Sequence, residues 1–174
     1  GGIDSTLIAF LAKKAGKDFV CYSVGLKGAD DLFWSKKIAK EYKFDLRSIE
    51  LEIDDFEKVV KKVTKILDEP DVVKIGVGAA LYPGMEMAKK DGLKYIYSGL
   101  GSEEVFAGYQ RHEESDDINR ECWNGLKKMW ERDFTRDDLL AKKFGIVWKL
   151  PFLDEELIVD AMGVDSSLKI EGEY

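Results

Sequence analysis

The sequence predicts an α/β protein: a doubly wound, mostly parallel sheet with helices on both faces, followed by a helical C-terminal region. Three observations predict it. Short β-rich apolar runs alternate with helically spaced stretches through the first 112 residues. Glycine-rich loops lie where strands should hand over to helices, as ligand loops do in doubly wound sheets. Beyond about His112 the chain turns charged and helical, with no linker, repeat or low-complexity tract to mark a second domain. The expected division is therefore a core over residues 1–112 and a helical extension over 113–174, packed on the same domain.

Each element has its own signal. "STLIAFLAKK" puts Leu7, Ile8 and Leu11 on one helical face and stops at Gly16, a good C-terminal cap. "DFVCYSVGL" reads as a buried strand ending at Gly25. "ADDLFWSKKIAKEYKF" returns to helical spacing through Leu32, Ile38, Ala39 and Tyr42, and "LRSIEL" is a second, weaker strand. "DDFEKVVKKVTKIL" gives the clearest helix, with a stripe of Phe56, Val59, Val60, Val63 and Leu67. The looser segment that follows is expected to be helical from about Gly78, perturbed by Pro83. "LKYIYSG" is a third strand, and "PFLDEELIVDAMG" holds the final short helix. The strand that should feed the opening "GGIDST" loop is missing from the sequence, which therefore reads as starting inside a strand–loop–helix unit.

Composition narrows the function. At 174 residues the chain can bury a substantial core. A net charge of −7 argues against a nucleic-acid partner. No apolar run approaches the roughly 18 residues that cross a bilayer, and no leader is visible, so no membrane partner is expected. Cys21 and Cys122 form no CxxC pair, which speaks against zinc or a disulfide framework and fits a reducing cytoplasm.

Two loops could carry chemistry. In "GGIDST", Gly1 and Gly2 allow close backbone approach and positive φ, so consecutive N–H groups can turn on an anion. Ser5 and Thr6 add hydroxyl donors where the helix dipole favours negative charge. Asp4 would repel phosphates unless Mg²⁺ lies between. The plainer alternative is a glycine turn with Asp4 or Ser5 as an ordinary N-cap. The second loop, "SGLGSEE", has two more glycines, then Glu103 and Glu104 in the first turn of a helix. There they suit the dipole, or Glu103 faces Asp4 across the strand ends and shares its metal. No GxxxxGK[ST] and no GxGxxG follows any strand, which excludes the Walker and dinucleotide loops. The lone histidine, His112, lies in a charged stretch and makes a poor triad.

These residues resemble a known family. "GGIDST" is similar to the SGGxDS pyrophosphate loop of the N-type ATP pyrophosphatases, the PP-loop enzymes, short of its first serine. "SGLGSEEVFAGYQR" resembles the SGEGSDExFGGY segment of asparagine synthetases, and "WKLPFLDEELIVDAM" their RxPFLDxxxxxxA segment. "YSVGLKGADDLFWSKKIAKEY" looks like their second strand and helix, and all these elements run in the family's order from Gly1 to about Lys169. The resemblance implies the adenine-nucleotide-α-hydrolase-like, Rossmann-like version of the fold and the synthetase half of a two-domain enzyme. It implies a ligase that adenylates the aspartate side chain with ATP, releases pyrophosphate, and lets ammonia displace AMP to give asparagine. By the same resemblance, Gly1, Gly2, Ser5 and Thr6 would hold the departing phosphates, and Asp4 and Glu103 would ligate Mg²⁺. Val24, Ser98 and Gly99 would contact adenine and ribose, and Lys169 would face the α-phosphate. A glutaminase domain or subunit is the implied partner.

The departures fall on the acceptor side. The glutamate of SGEGSDE is Leu100 here, which cannot act as a base or orient ammonia; related enzymes that close β-lactam rings place a tyrosine there. The family's arginine before PFLD is Lys149, and its polar substrate-facing stretch is Gly76, Val77, Gly78 and Ala79. Three functions are carried forward: an asparagine-synthetase-like ligase, an ATP pyrophosphatase that adenylates another carboxylate or a tRNA base, and a non-catalytic adenine-nucleotide-binding module.

Overall fold

A computed structural model describes residues 1–170. It is a mixed α/β structure, mostly helical, with two small parallel sheets. Helix α1 (Ile3–Lys14) precedes strand β1 (Cys21–Leu26), helix α2 (Asp30–Tyr42) and strand β2 (Leu46–Leu51). Helices α3 (Ile53–Leu67) and α4 (Val72–Lys90) lead to strand β3 (Tyr95–Tyr97). Short helices α5 (Ser102–Phe106) and α6 (Gln110–Glu113) follow. Helix α7 (Ile118–Met129) runs through a π turn (Trp130–Phe134) into helix α8 (Thr135–Phe144). Strand β4 (Val147–Lys149), a 3-10 turn (Pro151–Leu153), helix α9 (Glu155–Gly163) and a second 3-10 turn (Ser166–Leu168) complete the order. None of the described helices is long and apolar enough to cross a membrane.

Strand β1 pairs in parallel with β2, Val24 opposite Ile49, and β3 pairs in parallel with β4, Ile96 opposite Trp148. The single continuous sheet expected from the sequence is thus present as two separate parallel pairs, β1 and β3 not being hydrogen-bonded to each other. Around β1 the period-2 alternation of a strand is plain. Val24 and Tyr22 point at Gly84 of α4, their Cγ2 and Cβ lying 3.6 and 3.8 Å from where a Cβ on that glycine would be. Gly25 lies against Leu32 of α2. Helices therefore cover β1 on both faces.

The core lies on the α4 side. Val59, Val63 and Leu67 of α3 meet Ala79, Tyr82, Met85 and Ala88 of α4, with Leu140 and Phe144 of α8 and Ile146 closing the cluster. The stripe read from α3 is the one that packs: Val59, Val63 and Leu67 are buried, with Phe56 and Val60 partly buried beside them. Helix α4 starts six residues before the expected Gly78, because the Asp71 carboxylate caps it by accepting from the Lys74 amide at 2.9 Å. It runs on through Pro83, which cannot donate to the preceding turn. Packing holds the helix there, since Tyr82, Pro83, Gly84 and Met85 are all buried. Gly78 sets the α3–α4 spacing, for a Cβ on it would come within 2.9 Å of Val63 Cγ1.

Two further differences from the sequence reading are physical. Strand β4 was not anticipated, because three residues between Gly145 and Pro151 are too few to show a period. It pairs with β3 and so brings residues beyond His112 back to the sheet. Helix α1 forms, but of its expected face Leu7 and Leu11 stay exposed and Ala9 is its buried residue. It is held near its ends instead: Gly1 abuts Trp34 and Ser35, while Phe10 meets the Tyr42 ring edge-on at 5.7 Å and Lys13 Nζ donates to the Tyr42 carbonyl.

Replacing Gly78 with Val should drive a branched side chain into Val63 and cost about 1–3 kcal/mol. Urea denaturation would show this as a lower midpoint at unchanged slope; an unshifted midpoint would mean that α3 and α4 separate freely.

Candidate active site

The first loop opens α1. Gly2 is its N-cap residue, in extended conformation with φ −67° and ψ 159°, so the positive φ expected of this glycine is not used. What Gly2 supplies is room, for a Cβ there would meet nothing within 4 Å. Neither Asp4 nor Ser5 is the N-cap; both lie inside the helix, and no side chain caps its first amides. Thr6 N and Oγ1 donate to the Gly2 carbonyl at 3.2 and 2.7 Å, and Ser5 Oγ at 3.3 Å. The helix N-terminus is consequently open, with unsatisfied N–H groups and the positive end of the dipole, an arrangement that receives anions.

The second loop follows β3. Ser98 N donates to Lys149 O of β4 at 3.1 Å, and Ser98 Oγ accepts from Leu100 N at 3.2 Å, which closes a tight turn. Gly101 adopts φ +97°, a conformation suited to glycine, and Leu153 packs against it. Ser102 Oγ donates to Glu103 Oε2 at 3.0 Å, and Gly108 lies against the Glu103 side chain.

The two loops touch. A Cβ on Gly99 would fall 2.8 Å from Asp4 Cβ and 3.2 Å from Ser5 N. Asp4, Ser5, Ser98 and Gly99 are thereby brought together, with Gly1 and Gly2 just upstream and Glu103 on the helix that the second loop starts. Asp4 and Glu103 offer hard oxygen donors, and an open cradle lies beside Gly2. Among the described residues no group of three or more His, Cys, Asp or Glu side chains forms a metal cage. Asp4 in the first turn of α1, with Glu103 on the helix begun by the adjoining loop, is a donor set that would suit Mg²⁺, because that ion keeps waters and phosphate oxygens in its shell.

The Val24 side chain faces Gly84 of α4. Lys169 Nζ donates to Val105 O of α5 at 3.1 Å, and burial pulls its pKa below the ordinary lysine value. Gly78 and Ala79, read as part of a substrate-facing stretch, are buried in the α3–α4 core, so their lack of polar groups has a packing cause. Lys149 lies 5.5 Å above the Tyr95 ring.

Sequence reasoning missed a buried polar cluster behind the second loop. Glu104 is 0% exposed and pairs with Arg132 of the π turn, with Arg111 NH2 3.8 Å away. Arg132 also pairs with Asp133 at 2.7 Å, and Arg136 with Asp133 at 3.4 Å and Asp137 at 2.6 Å. Burial raises the Asp137 carboxyl above its usual range. His112, in a stretch that reads as charged, is 0% exposed, and its Nδ1 accepts from Tyr109 N at 3.1 Å. The dense alternation of Arg and Asp in "ERDFTRDD" was the available signal; helical spacing alone reads it as a solvated face.

The structure thus pairs parallel strands with an open helix N-terminus that lies against a glycine loop. The chain belongs to the asparagine synthase family, whose model, described as asparagine synthase, matches residues 1–116. A Methanocaldococcus jannaschii protein named "Putative asparagine synthetase [glutamine-hydrolyzing] 1" is 35% identical over 98% of this chain and 32% of its own length. A Lotus japonicus protein, "Asparagine synthetase [glutamine-hydrolyzing] 2", is 28% identical over 98% of this chain and 31% of its own. The chain thus spans about a third of the length of these relatives.

Burial and the neighbouring Arg111 hold His112 below its ordinary pKa of 6.5, so the unfolded state binds its proton more readily. Its contribution to stability is complete above about pH 6.5 and falls as the pH drops below that value, since a proton on Nδ1 would oppose the Tyr109 N–H. Denaturant midpoints between about pH 8 and pH 5 should slope for the wild type and flatten in His112→Gln. Equal slopes would contradict this.

Proposed function

We propose that the chain is the ATP-dependent, amide-forming part of an asparagine-synthetase-like ligase. The contact between Gly99 and Asp4 carries this reading, because it makes one site of two loops that a nucleotide triphosphate and a divalent cation could share. Family membership and the relatives named asparagine synthetase support it. In this reading the pairs β2–β1 and β3–β4 are the two sides of one doubly wound sheet, with residues 1–112 as its core and 113–174 as its extension.

The chemistry follows from the groups present. Free amides from Gly2 to Ser5, together with the Ser5 and Thr6 hydroxyls, receive the β- and γ-phosphates. Gly2, with Gly1 just upstream, leaves the backbone bare for that approach, and the Val24 backbone, Ser98 and Gly99 border adenine and ribose. Asp4 and Glu103 would hold Mg²⁺, which would supply neutralising charge to the phosphates. An aspartate carboxylate oxygen attacks the α-phosphorus, and the bond to the bridging oxygen breaks, releasing pyrophosphate. Lys169, released from Val105 O, places its ammonium beside the charge that develops at the α-phosphate. Ammonia then attacks the activated carbonyl carbon, AMP leaves with the bonding pair, and a proton lost from nitrogen completes the amide. The relatives' names describe them as glutamine-hydrolysing, so a glutaminase domain or subunit is the proposed ammonia source.

Leu100 favours a second reading in which another carboxylate, or a tRNA base, is the acceptor, because its side chain offers neither base nor hydrogen bond. A module that binds nucleotide without turnover would give no pyrophosphate with any acceptor.

With ATP, Mg²⁺, aspartate and ammonia the chain should form AMP and pyrophosphate, and Asp4→Ala should lower the rate by 100-fold or more with the circular dichroism spectrum unchanged. ADP and phosphate as products, or full activity in Asp4→Ala, would contradict the proposal. Pyrophosphate formed only with another acceptor would favour the second reading.

A further inference from the structure

Helix α5 has five residues, too few to be stable alone, yet it carries Glu103 just beyond the loop whose Gly99 lies against Asp4. Something must hold it. Its middle residue, Glu104, points the other way into a socket of opposite charge made by residues 111–136. Arg132 grips one carboxylate oxygen, and Arg111 lies beyond, tied to Glu121 at 3.2 Å. Gly125 of α7 leaves room for this, since a Cβ there would fall 3.1 Å from Glu104 Cγ and from Arg111 NH2. The socket continues through Asp133, Arg136 and Asp137 to β4, where Trp148 Nε1 donates to Asp137 O at 2.9 Å. The π turn places Arg132 toward α5 while Trp130, at its start, stays exposed. Charges this deep are retained only when paired, so the orientation of α5 is fixed from behind.

We propose that Glu104 is a positioning residue: clamped by Arg132, it fixes α5 and thereby the presentation of Glu103 to Asp4, so that the second part of the chain sets the divalent-cation affinity of the first. This rests on the reading of Glu103 as a metal ligand. Residues that orient metal ligands in this way are worth about 10–100-fold in metal affinity.

The test uses the full chain with Glu104→Gln, Arg132→Met and the charge-keeping Arg132→Lys. Hydrogen exchange without metal or nucleotide should speed up at least tenfold across residues 102–106 in the first two variants, with α3 and α4 still protected. The Mg²⁺ concentration for half-maximal ATP binding, read by calorimetry, should rise about 10–100-fold, and Arg132→Lys should recover part of both effects. Faster exchange at α5 with unchanged Mg²⁺ dependence would reduce Glu104 to a structural role and overturn the inference. So would unchanged exchange in folded variants. Should either of the first two variants fail to fold, the comparison of Arg132→Lys with wild type decides in the same way. A wild-type chain that binds no ATP with Mg²⁺ overturns the proposed function and this inference together, while its exchange pattern still reports whether Arg132 holds α5.

Discussion

The close approach of Gly99 to Asp4 is the constraint on which the rest of the site depends. An N-terminal helix with open amides attracts any anion weakly; beside a second loop it acquires a wall and a direction. The approach exists because position 99 has no side chain, the nearest Asp4 carbon standing 2.8 Å from where one would begin. Helix α4 ties both strand pairs to one core, Tyr22 of β1 and Ile96 of β3 packing against its buried cluster. Its buried face packs on α3 and α8, while Gly84 lies against Val24 and Tyr22 of β1.

Behind this front, the molecule spends charge where hydrophobic packing would be simpler. Glu104, Arg132, Asp133, Arg136 and Asp137 are paired in sequence across α5, the π turn and α8. Such pairs contribute little net stability compared with apolar side chains of the same shape, but each fixes a geometry and is costly to break singly. A five-residue helix that must aim one carboxylate forward is better served by a rigid ion pair behind it than by a greasy contact that tolerates sliding. His112 belongs to the same interior: a neutral imidazole accepting the Tyr109 amide, where the local charge count suggests a solvated cation.

Much of this was legible in the residues. The α3 stripe, the strand–helix alternation and the two glycine loops were each readable because period and punctuation agree with burial. The order of the short motifs also pointed to the family. What escaped the sequence has physical causes. Helix α4 contains Gly76, Gly78 and Pro83, which local propensity counts against a helix, and only the surrounding core overrides them. Strand β4 is too short to show alternation. The two glycines of the first loop look like conformational hinges, yet Gly2 keeps negative φ and Gly1 is close-packed on α2. Arg–Asp alternation cannot by itself be told from a surface face, so the socket for Glu104 stayed hidden until Arg132 and α5 were seen together.

The central claim is that two loops form one nucleotide site because position 99 lacks a side chain. Gly99→Ala tests it most directly, measured as ATP affinity in the presence of Mg²⁺ alongside thermal unfolding. The account predicts at least a tenfold loss of affinity, as the added methyl pushes Asp4 and Ser5 away, with the unfolding temperature of the α3–α4–α8 core moved by no more than a few degrees. Unchanged affinity in a folded Gly99→Ala protein would contradict it.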